Sequence, residues 1–267
     1  MRLERKFSRL QKIIRGYKSC AIAFSGGVDS TFLLKAATLV LPHQNIVAVT
    51  ATSATYPKEE LALARRIAKG LGVRHRVIKT AELKDARFVN NPSWRCYYCK
   101  KELFRRMNNI ARSLKLDSVF DASNLSDQVD FRPGEKALKQ LKVRSPLREA
   151  GLDKDQIRLL SRKLGLVTWR KPSLACLASR IPYGTKITAA ILQRINRAEV
   201  FLRRLGFKQV RLRHHNELCR IEVLKNDLPR LINRRKLIID KLKKLGYNYV
   251  ALDLEGYRMG SMNEVIK

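Results

Sequence analysis

No run of about 18 apolar residues occurs anywhere in this 267-residue chain, so nothing in it predicts a membrane-spanning helix. The first residues, Met1-Arg2-Leu3-Glu4-Arg5-Lys6, pass straight into an amphipathic pattern without an apolar signal core, which leads us to expect a cytoplasmic protein. Cysteines are few and odd in number, at 20, 96, 99, 176 and 219. In a reducing cytosol they are read as metal ligands, reactive thiols or core residues rather than as a disulfide framework. Acidic side chains are also scarce: 23 Asp and Glu stand against 56 Lys and Arg, a formal net charge of +33. A field of that sign attracts polyanions, including nucleotides, phosphorylated metabolites and tRNA. The basic residues are nevertheless dispersed, as in Lys100-Lys101, Arg105-Arg106, Arg203-Arg204 and Arg234-Arg235-Lys236. Such spacing marks no single groove, and a generally basic proteome or adaptation to salt or heat accounts for it as well as nucleic-acid binding does. Internal repeats and low-complexity tracts are absent.

What is present begins at Ser25. Ser25-Gly26-Gly27-Val28-Asp29-Ser30 follows the apolar run Cys20-Ala21-Ile22-Ala23-Phe24 and precedes the helical pattern Thr31-Phe32-Leu33-Leu34-Lys35. A buried strand, a glycine turn and a helix start in so few residues aim backbone N–H groups at an anion. The glycines let the backbone come close to a phosphate, and the serines add hydroxyl donors. The stretch lacks the Gly-Lys-Ser/Thr of a Walker loop and the Gly-x-Gly-x-x-Gly of a dinucleotide fold.

Around this loop the first half alternates strands and helices, which predicts an α/β fold with a parallel sheet covered on both faces. Helices are expected over residues 3–17, 29–41, 58–71, 97–116 and 154–164, and strands up to 24 and over 45–51, 73–78 and 118–122. The carboxyl edge of such a sheet binds the ligand, and the loop, Ala51 to Tyr56 and Ser123 to Asp130 all fall there. Residues 121–184 are rich in loops. From Thr188 a helix to Leu205, strands near 209–213, 220–223 and 247–253, and a basic helical stretch 227–245 suggest a smaller α+β domain. A chain of this length can bury two cores, and we expect a catalytic domain over residues 1–183 and a substrate or oligomerisation domain over 184–267.

Cys96-Tyr97-Tyr98-Cys99 stands at a predicted helix start, where both sulfurs can reach one atom and the helix dipole favours thiolates. Such a pair alone is also compatible with structural zinc or redox chemistry. Only Cys176, in Lys171-Pro172-Ser173-Leu174-Ala175-Cys176, has a comparably unusual setting, and no second pair completes a zinc site. Three thiolates with one open coordination position suit an iron–sulfur cluster. Cys20 and Cys219 stand among apolar strand residues and are expected to be small buried hydrophobes.

The loop is similar to the signature of PP-loop ATP pyrophosphatases, and the whole combination resembles the LarE family of ATP-dependent sulfur transferases within that superfamily. The resemblance rests on Phe24 to Thr31, Arg95 to Lys100, Asp130 to Gly134, Ser145 to Leu152, Cys176 to Gly184, Val210 to Val223, Leu252 to Arg258 and Gly260 to Asn263. It implies the PP-loop fold, a cytoplasmic homo-oligomer, and adenylation of a carboxylate of pyridinium-3,5-biscarboxylic acid mononucleotide followed by sulfur insertion for the nickel-pincer nucleotide cofactor. Members with a single cysteine at the position of Cys176 surrender its sulfur; members with three resemble holders of a 4Fe-4S cluster carrying an extra sulfide. Cys96, Cys99 and Cys176 match the second type. Arg170 departs from the family's pattern where an acidic residue is expected, as does Cys219 where alanine is usual.

On this resemblance Ser25, Gly26, Gly27, Val28, Asp29 and Ser30 are expected to hold the ATP phosphates, Asp29 with Asp127 to place Mg²⁺, and Ala51, Thr52 and Ser53 to wall the adenosine. Arg180, Arg211 and Arg213 are candidates for the substrate's phosphate and carboxylates because a guanidinium grips an oxyanion bidentately. Ser179, Trp94 and Glu149 are further candidate lining residues; Trp94 and Glu149 could equally be a loop anchor and an ion-pair partner. Expected catalytic residues are Cys176, Asp29, Ser30 and Arg180. A tRNA thiolase or a non-catalytic nucleotide-responsive iron–sulfur protein would use similar parts.

Overall fold

The computed structural model describes residues 3–53, 58–129, 133–172, 175–258 and 260–265. Tyr56, Asp130-Phe131-Arg132 and Ser173-Leu174, which the sequence reading singles out, lie outside them. The chain divides into two compact units, one of Met1–Glu82 with Trp94–Lys171 and one of Leu83–Ser93 with Pro172–Lys267.

In the first unit, in chain order, are α1 (Leu3–Arg15), β1 (Cys20–Ala23), α2 (Val28–Thr38), β2 (Ile46–Thr52), α3 (Lys58–Gly70) and β3 (Arg74–Lys79). The second unit takes the short α4 (Ala86–Val89), and the first resumes with α5 (Arg95–Ser113), β4 (Ser118–Phe120), α6 (Gly134–Gln140), α7 (Pro146–Glu149) and α8 (Lys154–Lys163). The four strands form the expected parallel sheet, in the order β3-β2-β1-β4. Strand alternation decides which helices cover which face. Cys20, Ile22, Ile46, Ala48 and Phe120 join Leu10, Phe32, Leu33 and Ile157 in one core. Ala21, Val47, Val49 and Val119 join Phe104, Met107 and Leu138 in the other. Thus α1, α2 and α8 cover one face, and α5 and α6 the opposite one. α2 follows from its composition: Val28, Phe32, Leu33, Leu34, Ala36 and Ala37 are buried almost all round, and each large apolar side chain so buried stabilises the fold by about 1.5–3 kcal/mol.

β3 lies where the third strand is expected. It is the sheet's edge, and its Arg74, Arg76 and Lys79 are exposed; charged side chains at an edge discourage pairing with another chain. Because the chain grows outward through β2 and β3 and then returns to β4 on the other side of β1, the strand order reverses between β1 and β4. A crevice opens at such a switch point, beyond the carboxyl ends of the strands. The glycine turn after β1 and the 3-10 turn Leu125–Val129 after β4 both stand there.

The second unit is built on α9 (Ala189–Arg204), β5 (Val210–His215), β6 (Leu218–Val223), α10 (Leu228–Asn233), α11 (Arg235–Lys244) and β7 (Tyr249–Leu252). β5 and β6 form an antiparallel hairpin, and β7 runs parallel to β6. α9 starts where Thr188 Oγ1 accepts from the Ile191 N–H (3.2 Å), an N-cap. The basic stretch expected as one helix is two, because Arg234 (φ −99°, ψ 12°) ends α10 and opens α11.

Candidate active site

Intrahelical bonding in α2 begins with the Thr31 N–H donating to the Gly27 carbonyl (3.0 Å). The N–H groups of Val28, Asp29 and Ser30 come before it and have no partner within the helix, the usual state of a helix start. Gly27 is the N-cap and provides no side-chain acceptor. The turn holds its own shape through serine hydroxyls: the Ser25 N–H donates to Ser30 Oγ (3.2 Å), the Gly27 N–H to Ser25 Oγ (3.3 Å), and the two hydroxyls lie 3.1 Å apart. Gly26 has φ +67°, and a Cβ there would also stand 3.3 Å from Ala64 on α3. Both observations favour glycine at this position.

Asp29 is the unusual member. Its Oδ1 is buried and has no hydrogen-bond partner among the described residues. Burial pushes its pKa up and the charge of Asp127 pushes it further, against the pull of Lys154 and Arg158. Asp127 is thus within electrostatic reach of Asp29, across the crevice between the turns after β1 and β4, and its Oδ2 accepts from the Asn124 N–H (3.0 Å). A buried, unsatisfied carboxylate oxygen beside a second carboxylate has the donor chemistry for a hard divalent cation such as Mg²⁺. Lys154 and Arg158, which sequence reading missed, are brought there by α8; its start is legible as the Asp153/Gln156 capping box.

Ala51 and Thr52 close β2, Ser53 follows it, and all three are half-buried. Thr50, just before them, was not singled out from sequence, yet its hydroxyl donates to the Phe24 carbonyl (2.6 Å) and contacts His75 Nε2 (2.7 Å). It ties β2 to the residue that opens the phosphate turn. Glu149 accepts from Arg144 (2.5 Å) and from the Ser145 N–H (3.1 Å), and Arg144 holds its pKa below the usual range, so its carboxylate is committed to an ion pair. Trp94 is the N-cap of α5; its exposed ring meets Tyr97 edge-on (6.3 Å) and lies under Lys136. The unexpected Arg170 stacks its guanidinium on Trp169 at 4.2 Å.

Cys96 and Cys99 occupy the first turn of α5, Cys96 exposed and Cys99 half-buried. The Cys99 thiol donates to Glu82 (3.7 Å), whose second carboxylate oxygen is buried without a hydrogen bond. Cys176 is exposed at the N-cap of the 3-10 turn Leu177–Arg180 in the other unit. Thiols at a helix start have the chemistry of soft metal ligands, but no group of three or more Cys, His, Asp or Glu side chains is gathered to hold a metal among the described residues. Burial pushes the thiols of Cys20 and Cys219 up to about 12, which makes both inert.

In the second unit Arg180, Arg211 and Arg213 are all buried. Arg180 gives Nε and Nη2 to Glu199 (2.8 and 3.0 Å) and Nη1 to the carbonyls of Ala175 and Cys176 and to the Ser179 hydroxyl. Arg213 gives Nε and Nη2 to Glu222 (2.8 and 2.7 Å), and further donors to the Ser179 carbonyl and the Ser261 hydroxyl. Arg211 donates to the Val210 carbonyl and lies over the Tyr257 ring (5.2 Å). Burial, with the neighbouring charge of Arg180, pulls its pKa down to about 10. An anion beside it would relieve that strain on its charge. Glu199 and Glu222, not anticipated from sequence, make this cluster possible; burial alone would raise the Glu199 pKa, but Arg180, Arg211 and Arg203 hold it low. Glu222→Gln keeps the shape but leaves buried Arg213 without its counter-charge. It should lower stability by about 3–5 kcal/mol, read as a fall in the denaturant midpoint; an unmoved midpoint would show that the pair contributes nothing.

Comparison with known proteins bears on both units. The family described as asparagine synthase matches residues 11–94, which include the phosphate turn. An uncharacterised protein of Synechocystis sp. is 41% identical over 266 residues, covering 99% of both chains. The pyridinium-3,5-bisthiocarboxylic acid mononucleotide synthase of Lactiplantibacillus plantarum is 36% identical over 264 residues, covering 99% of this chain and 96% of its own. An NH(3)-dependent NAD(+) synthetase of Chlorobaculum tepidum is 30% identical over 108 residues, 40% of this chain and 36% of its own.

Proposed function

This chain belongs to the LarE family of PP-loop enzymes, and from that premise we propose that it adenylates a carboxylate of pyridinium-3,5-biscarboxylic acid mononucleotide and replaces the activated oxygen with sulfur. The class is that of sulfurtransferases related to ATP pyrophosphatases. The observation that carries the reading is the glycine turn with its three helix-start N–H groups beside the Asp29–Asp127 pair.

A carboxylate is a poor electrophile. Its oxygen attacks the α-phosphorus of ATP, the bond from that phosphorus to the bridging oxygen breaks, and pyrophosphate leaves with the electron pair. The turn Ser25 to Ser30 stabilises the charge that develops on the leaving group through N–H and hydroxyl donors already in place. Asp29 and Asp127 hold Mg²⁺, which when bound neutralises phosphate charge. Ala51, Thr52 and Ser53 border the adenosine. Arg211 and Arg213, with Arg180 and Ser179 beside them, bind the anionic groups of the mononucleotide, and Trp94 lines its approach. Cys96, Cys99 and Cys176 are assigned as the thiolates that would hold a 4Fe-4S cluster, which would supply sulfide to the acyl carbon as the bond to the activated oxygen breaks and AMP leaves with the electron pair. Among the described residues no helix is long and apolar enough to cross a membrane, and we assign the protein to the cytoplasm as a homo-oligomer.

The test supplies purified protein with ATP, Mg²⁺ and either the mononucleotide or tRNA. AMP and pyrophosphate should form only with the mononucleotide, and Arg211→Ala should lower kcat/KM by about tenfold or more, the value of a charge-assisted contact. Formation of ADP and phosphate would overturn the adenylation step, and tRNA-dependent pyrophosphate release would overturn the substrate.

A further inference from the structure

In the sequence Lys171 stands out only as the start of the stretch leading to Cys176, but its ammonium group sits against the phosphate turn. Its Nζ donates to the Gly26 carbonyl (3.0 Å) and to Glu60 Oε2 (2.5 Å), and both side chains of the ion pair are largely buried. Glu60 is on α3, one turn before Ala64, the residue against which Gly26 packs; residues four apart share a helix face. A carboxylate is therefore built into the wall beside a site whose N–H groups suit a polyanion. It would repel a triphosphate if no cation masked it. The backbone around Lys171 is fixed independently of that cation: Arg158 donates from Nη1 to the Trp169 carbonyl (2.7 Å) and from Nη2 to the Lys171 carbonyl (2.9 Å). Only the flexible four-carbon stem has to move for the ammonium to change partner.

Building on the adenylation reading, we propose that Lys171 is a phosphate-binding residue that exchanges Glu60 for the pyrophosphate portion of ATP, with Glu60 as the acceptor that holds it beside the turn until nucleotide arrives. The exchange moves one positive charge by a hydrogen-bond length or two and makes or breaks no covalent bond. The two residues then have opposite effects on phosphate affinity, because Glu60 competes with the ligand for Lys171. A pair that merely braced the turn would weaken binding whichever partner was lost.

Calorimetric titration of the full chain with magnesium pyrophosphate, and separately with AMP, distinguishes these cases. Lys171→Gln should weaken pyrophosphate binding by about tenfold or more while AMP binding is unchanged, the loss of one charge-assisted contact. Glu60→Gln should tighten pyrophosphate binding severalfold, and in the Lys171→Gln background it should no longer do so. Weaker binding in both single variants, or unchanged binding in both, would overturn the exchange. Should the unmodified chain bind neither pyrophosphate nor ATP, the adenylation reading itself falls, and the exchange with it.

Discussion

Asp29→Asn should cut pyrophosphate formation by about two to three orders of magnitude, the scale on which removal of one preorganised charge-stabilising group is felt, while leaving the fold as stable as before or more so. Both halves follow from its surroundings. The carboxylate is largely buried with one oxygen unsatisfied, and burial and Asp127 raise its pKa. A carboxyl whose pKa is raised in the folded state favours folding at pH values where it is protonated, and that contribution is lost as pH rises through the folded-state pKa. At neutral pH the ionised group is thus a burden on the protein alone. The amide removes that burden and with it the anionic ligand for Mg²⁺. A rise or no change in Tm together with lost activity separates this from a folding defect; a marked fall in Tm would contradict it. The acid limb of kcat/KM against pH should lie above the ordinary aspartate range. In Asp127→Asn, which removes the neighbouring charge that raises the Asp29 pKa, the remaining activity should show that limb at lower pH.

The parts of this protein that were legible in the sequence are those in which local residues decide the structure. The apolar run 20–24, the glycine turn and the helical spacing after it are contiguous, so strand, turn and helix could be read together, and the doubly covered parallel sheet followed from the alternation beyond them. The edge position of β3 was not legible, because Val77 and Ile78 read as apolar strand until pairing leaves the strand with one neighbour. Long-range ion pairs were hidden for a stronger reason. Glu199 is 19 residues from Arg180 and Glu60 is 111 from Lys171, and neither partner carries a local signal that distinguishes it from a solvated charge. In a chain with 56 basic residues, the acids that are buried beside arginine or lysine are more informative than the bases. Glu60, Glu199 and Glu222 each mark where positive charge has been drawn inside. Arg211 and Arg213 were readable as sharing a strand face, but the strand text does not say that the face is buried, and the low pKa of Arg211 follows from that burial.

Cys96→Ala, Cys99→Ala and Cys176→Ala should each abolish sulfur transfer to the mononucleotide and leave pyrophosphate formation within about threefold of the unmodified chain, since the adenylation donors are backbone N–H groups that no cysteine supplies. The three thiols differ from the other two in accessibility. Cys96 and Cys176 are exposed and Cys99 is half-buried at a helix start, whereas burial holds Cys20 and Cys219 as neutral thiols with pKa values near 12. Cys20→Ala and Cys219→Ala should therefore keep sulfur transfer, with only the modest loss of stability that follows removal of a buried sulfur. Iron and acid-labile sulfide in anaerobically purified protein should be present in the unmodified chain and in these two variants, and lost in the other three. Sacrifice of the Cys176 sulfur is the competing chemistry. It would lower the mass of the protein by one H₂S after a single turnover, and it would make Cys96 and Cys99 dispensable. Detection of that mass loss, together with full transfer by Cys96→Ala and Cys99→Ala, would remove the cluster from the reaction while leaving the adenylation step intact. Because α5 opens with both Cys96 and Cys99, the double variant Cys96→Ala/Cys99→Ala gives the sharper reading: it alters one helix turn, leaves Cys176 in place, and assigns the transferred sulfur to Cys176 only if transfer survives.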